Sequence, residues 1–372
     1  MISIKTPESY INEDGIIKSS GKYIAKLGKN ALVIGGKTAL SVAGEELFKS
    51  LNSSGVNFET KEFKGYPTES SIQKYTSIAH ELGVDLIIGV GGGAVLDLVK
   101  AVGERSNISV VTVPTIAATC AAWSALTVLY DENGKHMAYL ILDNSPKLVL
   151  VDIGIISRAP IRYLNAGIGD TVVKWYEVAP HEVEGHNDIS LRIGLQTSKL
   201  ALDILNGSAF SALKNQASSN VARDISEVVD SIIILAGLVG SINGGQHRAA
   251  IAHALHDSFT TIPDTHESLH GEKVIFGLIV QFILEKKPEK EIESLISFMN
   301  SLNLPVTLSQ LGINDDVASK VSIVAKGVDI IEKELDKLNF EVSTNLIEKA
   351  IVKADLFGQN SLKSGNISNK IA

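Results

Sequence analysis

Short apolar runs alternate with amphipathic segments along the first part of the chain. The runs predict buried strands, and the alternation of apolar and polar residues over 58–63 predicts one more strand. The apolar residues that recur at three- and four-residue spacings between the strands predict helices. The predicted strands are residues 31–34, 58–63, 85–90, 109–113 and 148–152, and the predicted helices are 39–51, 71–82 and 94–103. Because such alternation is typical of parallel pairing, we expect a parallel sheet with helices on both faces.

The pattern changes after residue 152. From about Ala159 onward the apolar positions follow an almost entirely helical period, for example over 189–205, 222–238 and 274–284. We therefore predict a boundary between residues 155 and 165, with an α/β domain over 1–160 and an all-α domain over 161–372. The polar tail that begins at Gly358 is expected to be frayed.

Composition and charge exclude several classes of protein. A formal net charge of −8 over 372 residues argues against nucleic acid or an anionic membrane as the partner. Cys120 is the single cysteine, so an internal disulfide is impossible. The N-terminus lacks the apolar core of a signal peptide, and the apolar stretch 232–239 is too short to span a bilayer. We therefore expect a soluble cytoplasmic protein.

A glycine triplet, Gly91, Gly92 and Gly93, follows one predicted strand and leads into a predicted helix. Glycines let backbone N–H groups approach a diphosphate closely, and the positive end of the helix favours the anion. The alternative is a tight turn that binds nothing. In the same helix, Asp97 and Lys100 are three residues apart, which is also the spacing of a simple surface ion pair.

Three candidate metal ligands lie beyond the predicted domain boundary: Asp170, His253 and His270. One carboxylate and two imidazoles leave a divalent ion with open positions, as a catalytic site requires. His256 and His266 are rival ligands, and spacing alone does not select among the four histidines. A metal and a dinucleotide together suggest hydride transfer to or from an alcohol carbon.

The segment from Gly91 to Lys100 resembles the GGG-x-x-x-D-x-x-K segment of the iron-containing alcohol dehydrogenases, specifically their glycerol dehydrogenase branch. Residues 113–119 and 124–128 strengthen the match, and the contexts of Asp170, His253 and His270 extend it over essentially the whole chain. The resemblance implies an N-terminal Rossmann-like nucleotide-binding domain and an all-α C-terminal metal-binding domain. It places the active site in the cleft between them.

The same resemblance implies the roles of individual residues. It favours Asp170, His253 and His270 as ligands of one divalent ion, Zn²⁺ or Fe²⁺, with His256 as a catalytic neighbour that relays a proton. Mixed oxygen and nitrogen ligands do not decide which metal is bound. It assigns NAD(P)(H) to a set of cofactor-binding residues: Gly36, Lys37, Gly91, Gly92, Gly93, Ala94, Thr115, Thr119, Ser124, Leu126 and Tyr130.

Gly36 marks a first departure from the glycerol dehydrogenase pattern. Those enzymes typically carry an aspartate directly after the first strand, where it accepts hydrogen bonds from the adenosine ribose. Here the position holds Gly36, followed by Lys37. The absence of the acid, with a cation adjacent, favours NADP(H). The alternative is that Gly36 only makes a turn and that Lys37 points to water.

Cys120 marks a second departure, because glycerol dehydrogenases carry a polyol-contacting aspartate at this position. Losing that carboxylate weakens the case for glycerol, and a small buried hydrophobe is the alternative role for Cys120. The surrounding residues, 116–123 and 166–177, resemble the hydroxycarboxylate dehydrogenases of the same family, which reduce 2-oxo acids. A carboxylate substrate needs a cation, for which Lys174 is the first candidate and Arg248 and Lys100 are the others.

Together, these features predict a metal-dependent NAD(P)-linked oxidoreductase that acts on small 2-hydroxy acids and 2-oxo acids. The alternatives are a glycerol or related polyol dehydrogenase and a nucleotide-binding protein without turnover. Dehydroquinate synthase is similar in architecture, but the Asp170 context and the Leu96-Asp97 pattern fit the dehydrogenases better. The resemblance also implies a homo-oligomer.

Overall fold

The computed structural model describes residues 2–182, 188–214, 221–242, 250–328 and 338–368. The strands of this part of the chain are β1 Ser9–Asn12, β2 Asn30–Gly35, β3 Asn57–Glu62, β4 Leu86–Gly91, β5 Ser109–Pro114, β6 Leu126–Tyr130, β7 His136–Ile141 and β8 Leu148–Val151. The five strands predicted from the sequence are confirmed, with bounds that differ by at most one residue. Strands β1, β6 and β7 were not predicted.

Six of these strands form one parallel sheet in the order β1-β8-β5-β4-β2-β3. After β2 the chain adds β3 on one side, and it then crosses to the other side of β2 to form β4. The direction of winding therefore reverses between β2 and β4. In open α/β sheets, ligands bind in the crevice at the carboxyl ends of the strands where this reversal occurs.

Helices cover both faces of the sheet, as predicted. They are α1 Gly21–Ile24, α2 Lys37–Ser53, α3 Glu69–Glu81 and α4 Gly93–Ser106. Because side chains alternate across a strand, Val33 lies in the core under α2, whereas Leu32 lies in the core under α3 and α4. Both residues are fully buried, which explains why the strands read as continuous apolar runs.

The hairpin of β6 and β7 contacts both halves of the molecule. Towards the sheet, the Tyr130 N–H donates to the Pro67 carbonyl oxygen at 3.2 Å. Towards the helical half, the His136 N–H donates to Thr260 Oγ1 at 2.8 Å, and the Tyr139 hydroxyl donates to Asp257 Oδ1 at 2.7 Å. The hairpin therefore spans the space between the two halves.

The chain is helical from residue 153 onward within the described ranges. The helices are α5 Ile153–Ser157, α6 Ile161–Val178, α7 Ile189–Lys214, α8 Val221–Asp230, α9 Ala236–Ser241, α10 Ile251–Phe259, α11 His270–Leu284, α12 Glu289–Ser301, α13 Val317–Gly327 and α14 Thr344–Ser368. A π-helical segment, Ser231–Leu235, joins α8 to α9. The predicted α/β and all-α architecture is confirmed, and the division at residue 160 stays a prediction.

The expectation of a frayed tail from Gly358 is wrong, because α14 continues to Ser368. This helix buries Ile351 and Ala354. A Cβ atom at Gly358 would lie 1.8 Å from the Val306 carbonyl oxygen, so the helix packs closely at this point. Polar composition misled the prediction because only one face of α14 is buried. Across the described residues, none of the helices has the length and apolarity required to cross a membrane.

Glycines allow close packing of α6, α10 and α11, the three helices that carry the candidate ligands. A Cβ atom at Gly271 of α11 would lie 1.9 Å from the Ala166 carbonyl oxygen of α6. At Gly277, one turn and a half further along, it would lie 2.8 Å from the Ala252 carbonyl oxygen of α10. The two glycines therefore let α11 contact the backbones of both neighbours.

Candidate metal centre and nucleotide cleft

The three metal-ligand candidates come together as the sequence predicts. Asp170 lies in the middle of α6, His253 in the first turn of α10, and His270 at the start of α11. One donor atom from each residue lies within 4.8 Å of the others. Asp170 Oδ1 is 3.3 Å from His253 Nε2 and 3.4 Å from His270 Nε2.

Lys174 lies one turn after Asp170 and points to the same atoms. Its Nζ donates to Asp170 Oδ1 at 3.0 Å and lies 2.8 Å from His253 Nε2. An ammonium at this distance needs a lone pair on Nε2, so His253 carries its ring proton on Nδ1. The Lys174 side chain is almost completely buried. The donor atoms of the cluster therefore face a cation.

A buried carboxylate, Glu177, holds His253 from the other side. Glu177 Oε2 accepts a short hydrogen bond from His253 Nδ1, while Oε1 accepts the backbone N–H groups of Ala250 and His253, each at 2.9 Å. Every partner is a donor, which keeps the pKa of Glu177 below its ordinary value despite burial. Carboxylates that accept the second ring proton of a histidine fix its orientation towards a metal.

Within the described part of the chain, His270 is the metal-ligand candidate to which His256 is hydrogen-bonded. The Nε2 of His256 lies 3.0 Å from His270 Nδ1, and the Nδ1 of His256 lies 2.9 Å from Asp257 Oδ1. His266 lies apart from the cluster, with Nε2 bonded to the Thr260 carbonyl oxygen at 3.0 Å. Within the described residues, the geometry thus selects His253 and His270 from the four candidate histidines.

Burial and charge set the protonation of this cluster. Burial opposes ionisation of Asp170, but the Lys174 ammonium outweighs it and holds the pKa of this carboxyl well below its usual range. Burial lowers the pKa of His270 and, together with the positive charge of a protonated His270, lowers that of His256 strongly. Burial alone would lower the pKa of His253, but the Glu177 carboxylate raises it. A divalent metal binds an ionised carboxylate and neutral imidazoles, so it competes with a proton at His253.

A cleft of about 330 Å³ opens beside the cluster. Its lining includes Asp170, Lys174, His253, His256 and His270 on the helical side. On the sheet side it includes six of the residues assigned to the cofactor, namely Gly93, Ala94, Thr119, Ser124, Leu126 and Tyr130. The metal-ligand candidates and the N-terminus of α4 therefore face one space.

The other five predicted cofactor residues lie along the carboxyl edge of the sheet. Gly36 and Lys37 follow β2, Gly91 and Gly92 form the turn from β4 to α4, and Thr115 follows β5. The glycine turn packs tightly, since a Cβ atom at Gly92 would lie 2.7 Å from Ile116 Cδ1. Either close packing or access of a diphosphate to the backbone could require the three glycines. Their role in cofactor binding therefore stays a prediction.

The interpretation of Asp97 and Lys100 as a surface ion pair is wrong. The pair is buried, with Lys100 Nζ 3.0 Å from Asp97 Oδ1. Lys100 Nζ also donates to the Ser124 carbonyl oxygen at 3.1 Å and to the Leu126 carbonyl oxygen. These bonds fix the loop that precedes β6, and they leave Lys100 unsuited to bind a substrate carboxylate.

Two further predicted substrate residues differ in their placement. Cys120 is partly buried and lines the cleft, and burial raises the pKa of its thiol. This fits a small wall residue rather than a nucleophile. Arg248, the remaining candidate cation, lies outside the described residues. Of the three cations considered, Lys174 is therefore the one that the described part of the chain places in the cleft.

Sequence reasoning missed three residues around the candidate ligands. Glu177 contacts His253 directly, Asp257 reaches His270 through His256, and Tyr139 contacts Asp257. Glu177 is seven residues after Asp170, two helical turns along the same face, so the spacing carried a signal. Asp257 directly follows His256, and nothing in its spacing indicates a partner. Tyr139 lies on an unpredicted strand.

Comparisons with known proteins identify the family of the chain. The family model for iron-containing alcohol dehydrogenase matches residues 7–153. A glycerol dehydrogenase from Escherichia coli O6:H1 is 33% identical over 364 residues, which are 97% of this chain and 98% of the relative. Hydroxycarboxylate dehydrogenase A from Escherichia coli K12 is 37% identical over 287 residues, 76% of this chain and 78% of the relative.

A solved structure shows the same fold over nearly all of the chain. The crystal structure of a probable glycerol dehydrogenase from Sinorhizobium meliloti 1021 matches with a TM-score of 0.85 and 30% identity, covering 96% of this chain and 99% of that one. The chain therefore belongs to the iron-containing alcohol dehydrogenase family. It is an oxidoreductase that acts on CH–OH groups, and membership of this family implies a divalent metal and a nicotinamide dinucleotide.

Proposed function

We propose that the protein is a metal-dependent, NAD(P)-linked dehydrogenase that interconverts small 2-hydroxy acids and 2-oxo acids. The observation that carries the proposal is the buried ammonium of Lys174 in the cleft, next to the metal-ligand candidates. A substrate carboxylate adjacent to the reacting carbon needs a cation at this place. A polyol does not need one.

Asp170, His253 and His270 fit a resident metal, because a carboxylate oxygen and one ring nitrogen of each histidine lie within 4.8 Å of one another. A bound divalent ion supplies Lewis acidity to the substrate oxygen, and the nicotinamide supplies or accepts the hydride. Glu177 keeps the Nε2 lone pair of His253 directed at this site. The N-terminus of α4 offers backbone N–H groups to the diphosphate of the cofactor.

Lys174 and a metal compete for the lone pair of His253 Nε2. When this lone pair is used by a metal, the ammonium is available to another anion in the cleft. Lys174 is held on α6 four residues from Asp170, so its reach stays close to the reacting centre. Lys174 is therefore suited to pair with the carboxylate of a 2-hydroxy acid or a 2-oxo acid.

Cys120 supports the same substrate class. The cleft wall at this position carries a neutral thiol instead of a carboxylate, so an acidic substrate meets no repulsion from it. The similarity to hydroxycarboxylate dehydrogenase A agrees with this preference. The alternative, a glycerol or other polyol dehydrogenase, is favoured by the several similar relatives that carry the name glycerol dehydrogenase.

NADP(H) is the cofactor that we propose, because the position directly after β2 holds Gly36 instead of an acid, and two exposed cations lie near it. Lys37 is exposed directly after Gly36. Lys64 is exposed as well, one residue after Phe63, whose carbonyl oxygen would lie 4.0 Å from a Cβ atom at Gly36. Two ammonium groups beside a position without a carboxylate suit a 2′-phosphate.

Initial rates of NADPH and NADH oxidation by the metal-loaded protein test the proposal. The substrates are 2-oxobutanoate, 2-oxoglutarate and dihydroxyacetone. We expect the oxo acids to react faster than dihydroxyacetone, and NADPH to react faster than NADH. Lys174→Met is expected to lower kcat/KM for the oxo acids about 10²-fold and to affect dihydroxyacetone much less, since only the acids lose a charge partner.

Lys37→Met provides the matched control, because it removes the same charge at the far end of the cofactor. It is expected to raise KM for NADPH while leaving the preference for oxo acids unchanged. Metal content is measured in each variant, so that a loss of metal is not mistaken for a loss of substrate binding. Faster reduction of dihydroxyacetone by the wild type, or an equal effect of Lys174→Met on both substrate classes, would favour the polyol alternative.

A further inference from the structure

We propose that Asp257 is a positioning residue that acts through His256 to hold His270 in the tautomer whose Nε2 is free to bind the metal. The inference rests on the metal site of the proposed function. It assigns a role to Asp257 and to the hairpin residue Tyr139, and it changes the role of His256 from proton relay to intermediary.

The argument follows the hydrogen bonds outward from the metal-ligand candidates. Asp257 accepts the Nδ1–H of His256 at 2.9 Å. A neutral imidazole has one ring proton, so Nε2 of His256 is then an acceptor. The group 3.0 Å away, His270 Nδ1, must therefore donate. His270 consequently keeps a lone pair on Nε2, the atom that faces Asp170.

The charge and the orientation of Asp257 are both fixed. The Tyr139 hydroxyl lies 2.7 Å from Oδ1 and 2.9 Å from Oδ2, and His136 Nδ1 lies 3.8 Å from Oδ2. Burial opposes ionisation of Asp257, but the hydrogen bonds from His256 and Tyr139 outweigh it and lower the pKa to about 2. An ionised carboxylate only accepts hydrogen bonds, so it cannot support the opposite tautomer of His256.

Both imidazole ligands are thus oriented by carboxylates, but by different routes. Glu177 accepts the Nδ1–H of His253 directly, whereas Asp257 reaches His270 through an intervening imidazole. His256 is only 2% exposed and has both ring nitrogens engaged. A relay through it to the substrate would require the ligand His270 to give up its Nδ1 proton, which argues for positioning.

Asp257→Asn separates this role from a purely structural tie between α10 and the hairpin. The amide keeps the shape of the carboxylate but can donate a hydrogen bond to His256 Nδ1. The ring proton of His256 then lies on Nε2 and points towards His270. His270 then has to carry its own proton on Nε2, where the metal binds. A wrong tautomer held in an intact geometry is a known way to disable a histidine.

The experiment measures Zn²⁺ affinity of the full-length protein by competition with a chromogenic chelator. For Asp257→Asn we expect a 10- to 100-fold weaker affinity, roughly the range for lost outer partners of a ligand. The melting temperature of the protein in EDTA is expected to stay close to that of the wild type. Asp264→Asn is the matched control, because it removes the same charge from a residue bonded to Lys320 outside the cluster, and it should keep wild-type affinity.

A second measurement, on the wild type, does not depend on any variant. The ¹⁵N chemical shifts of histidine side chains in the protein in EDTA distinguish Nδ1–H from Nε2–H tautomers. We expect Nδ1–H for His256 and His270, and a switch of both in Asp257→Asn. Observation of Nε2–H for His270 in the wild type overturns the proposal, even if the variant does not fold.

The outcomes separate this inference from the proposed function. Wild-type Zn²⁺ affinity in Asp257→Asn overturns the positioning role and leaves the metal site intact. Failure of the wild type to bind Zn²⁺, or unchanged binding in His253→Ala, removes the metal site itself and with it the proposed function. Weaker affinity together with a much lower melting temperature in EDTA, without a change of tautomer, indicates a structural tie and also overturns the proposal.

Discussion

Lys273 is a buried lysine in the wall of the cleft. It is 5% exposed, and its Nζ donates to the carbonyl oxygens of Thr265 at 2.9 Å and Ser268 at 2.7 Å. Burial lowers the pKa of Lys273 from 10.5 to about 8, and the nearby Glu272 opposes this only partly. A neutral amine can still donate both hydrogen bonds, so deprotonation relieves the cost of burying a charge without breaking the loop.

The lowered pKa of Lys273 predicts a stability that rises with pH. Below about pH 8 the residue is protonated in both folded and unfolded chains, and the burial cost is fully present. Between about pH 8 and 10.5 only the unfolded chain holds the proton, so the free energy of unfolding rises, by up to about 3 kcal/mol. Urea unfolding in EDTA at about pH 7 and pH 10, for the wild type and Lys273→Met, measures the effect.

The free energy of unfolding of the wild type, relative to that of Lys273→Met, should be higher at the higher pH, since only the wild type gains from deprotonation there. The variant also loses two hydrogen bonds, but this loss is present at both pH values and cancels in the comparison. An equal difference at both values would contradict the lowered pKa. Other groups that titrate in this range are common to both proteins.

At the residue scale, the sequence predicted which candidate ligands lie together but not which side chains orient them. Asp170, His253 and His270 stand out because their types and contexts are those of ligands. Glu177 and Asp257 are acidic residues on helices, and most such residues are solvated. Their roles depend on packing between α6, α10 and the hairpin, and such contacts between distant segments leave little signal in one sequence.

At the scale of elements, the centre depends on the contact between α6 and α11. Gly271 allows it, because a Cβ atom there would lie 1.9 Å from the Ala166 carbonyl oxygen. A Cβ atom at a second glycine, Gly169 of α6, would lie 3.3 Å from the Gly271 carbonyl oxygen. The small residues next to Asp170 and His270 in sequence are therefore what brings these two ligands within reach of each other.

Gly271→Ala is expected to destabilise the protein by about 1–3 kcal/mol or more, because the methyl group forces backbones apart. The same shift should weaken Zn²⁺ binding by separating His270 from Asp170. Thermal unfolding in EDTA and chelator competition measure the two effects. Gly207→Ala in α7 is the control, because among the described residues no atom beyond its own helical turn lies within 4 Å of its Cβ position. It should stabilise the protein slightly, and equal effects at both sites would refute the packing argument.

The elements of the sheet could be predicted because buried parallel strands carry continuous apolar runs. Strands β4 and β8 are buried at every position. Strand β7 has no buried position and β6 has only two, so neither shows a clean alternation of apolar and polar residues. Strand β1 is four residues long, too short for a period to emerge. These strands form because of tertiary contacts, and the local order of apolar and polar residues does not reveal such contacts.

At the scale of the whole molecule, a metal bound to the candidate ligands would join three helices that are far apart in sequence. Ligand residues from α6, α10 and α11 are brought together only in the folded chain, so a metal that binds them stabilises the folded state. We expect Zn²⁺ at about 100 times its dissociation constant to raise the free energy of unfolding by about 2.7 kcal/mol. Thermal or urea unfolding with Zn²⁺ and with EDTA measures the difference.

His253→Ala should abolish this stabilisation and turnover together, while nucleotide binding measured by fluorescence titration stays nearly intact. The reason is that His253 supplies one of the converging donor atoms but lies on the helical half, across the cleft from the N-terminus of α4. A variant that keeps full Zn²⁺ stabilisation would show that the ion binds elsewhere. Loss of nucleotide binding as well would indicate that the metal site and the nucleotide site depend on each other.

The hairpin of β6 and β7 restricts how the two halves of the molecule can move apart. It is tied to the sheet through Tyr130 and to α10 through His136 and Tyr139. Any hinge motion that widens the cleft to admit or release a dinucleotide must either carry the hairpin along or pull on Asp257, and through His256 on a metal ligand. Such a motion would therefore couple the exchange of the cofactor to the position of His270.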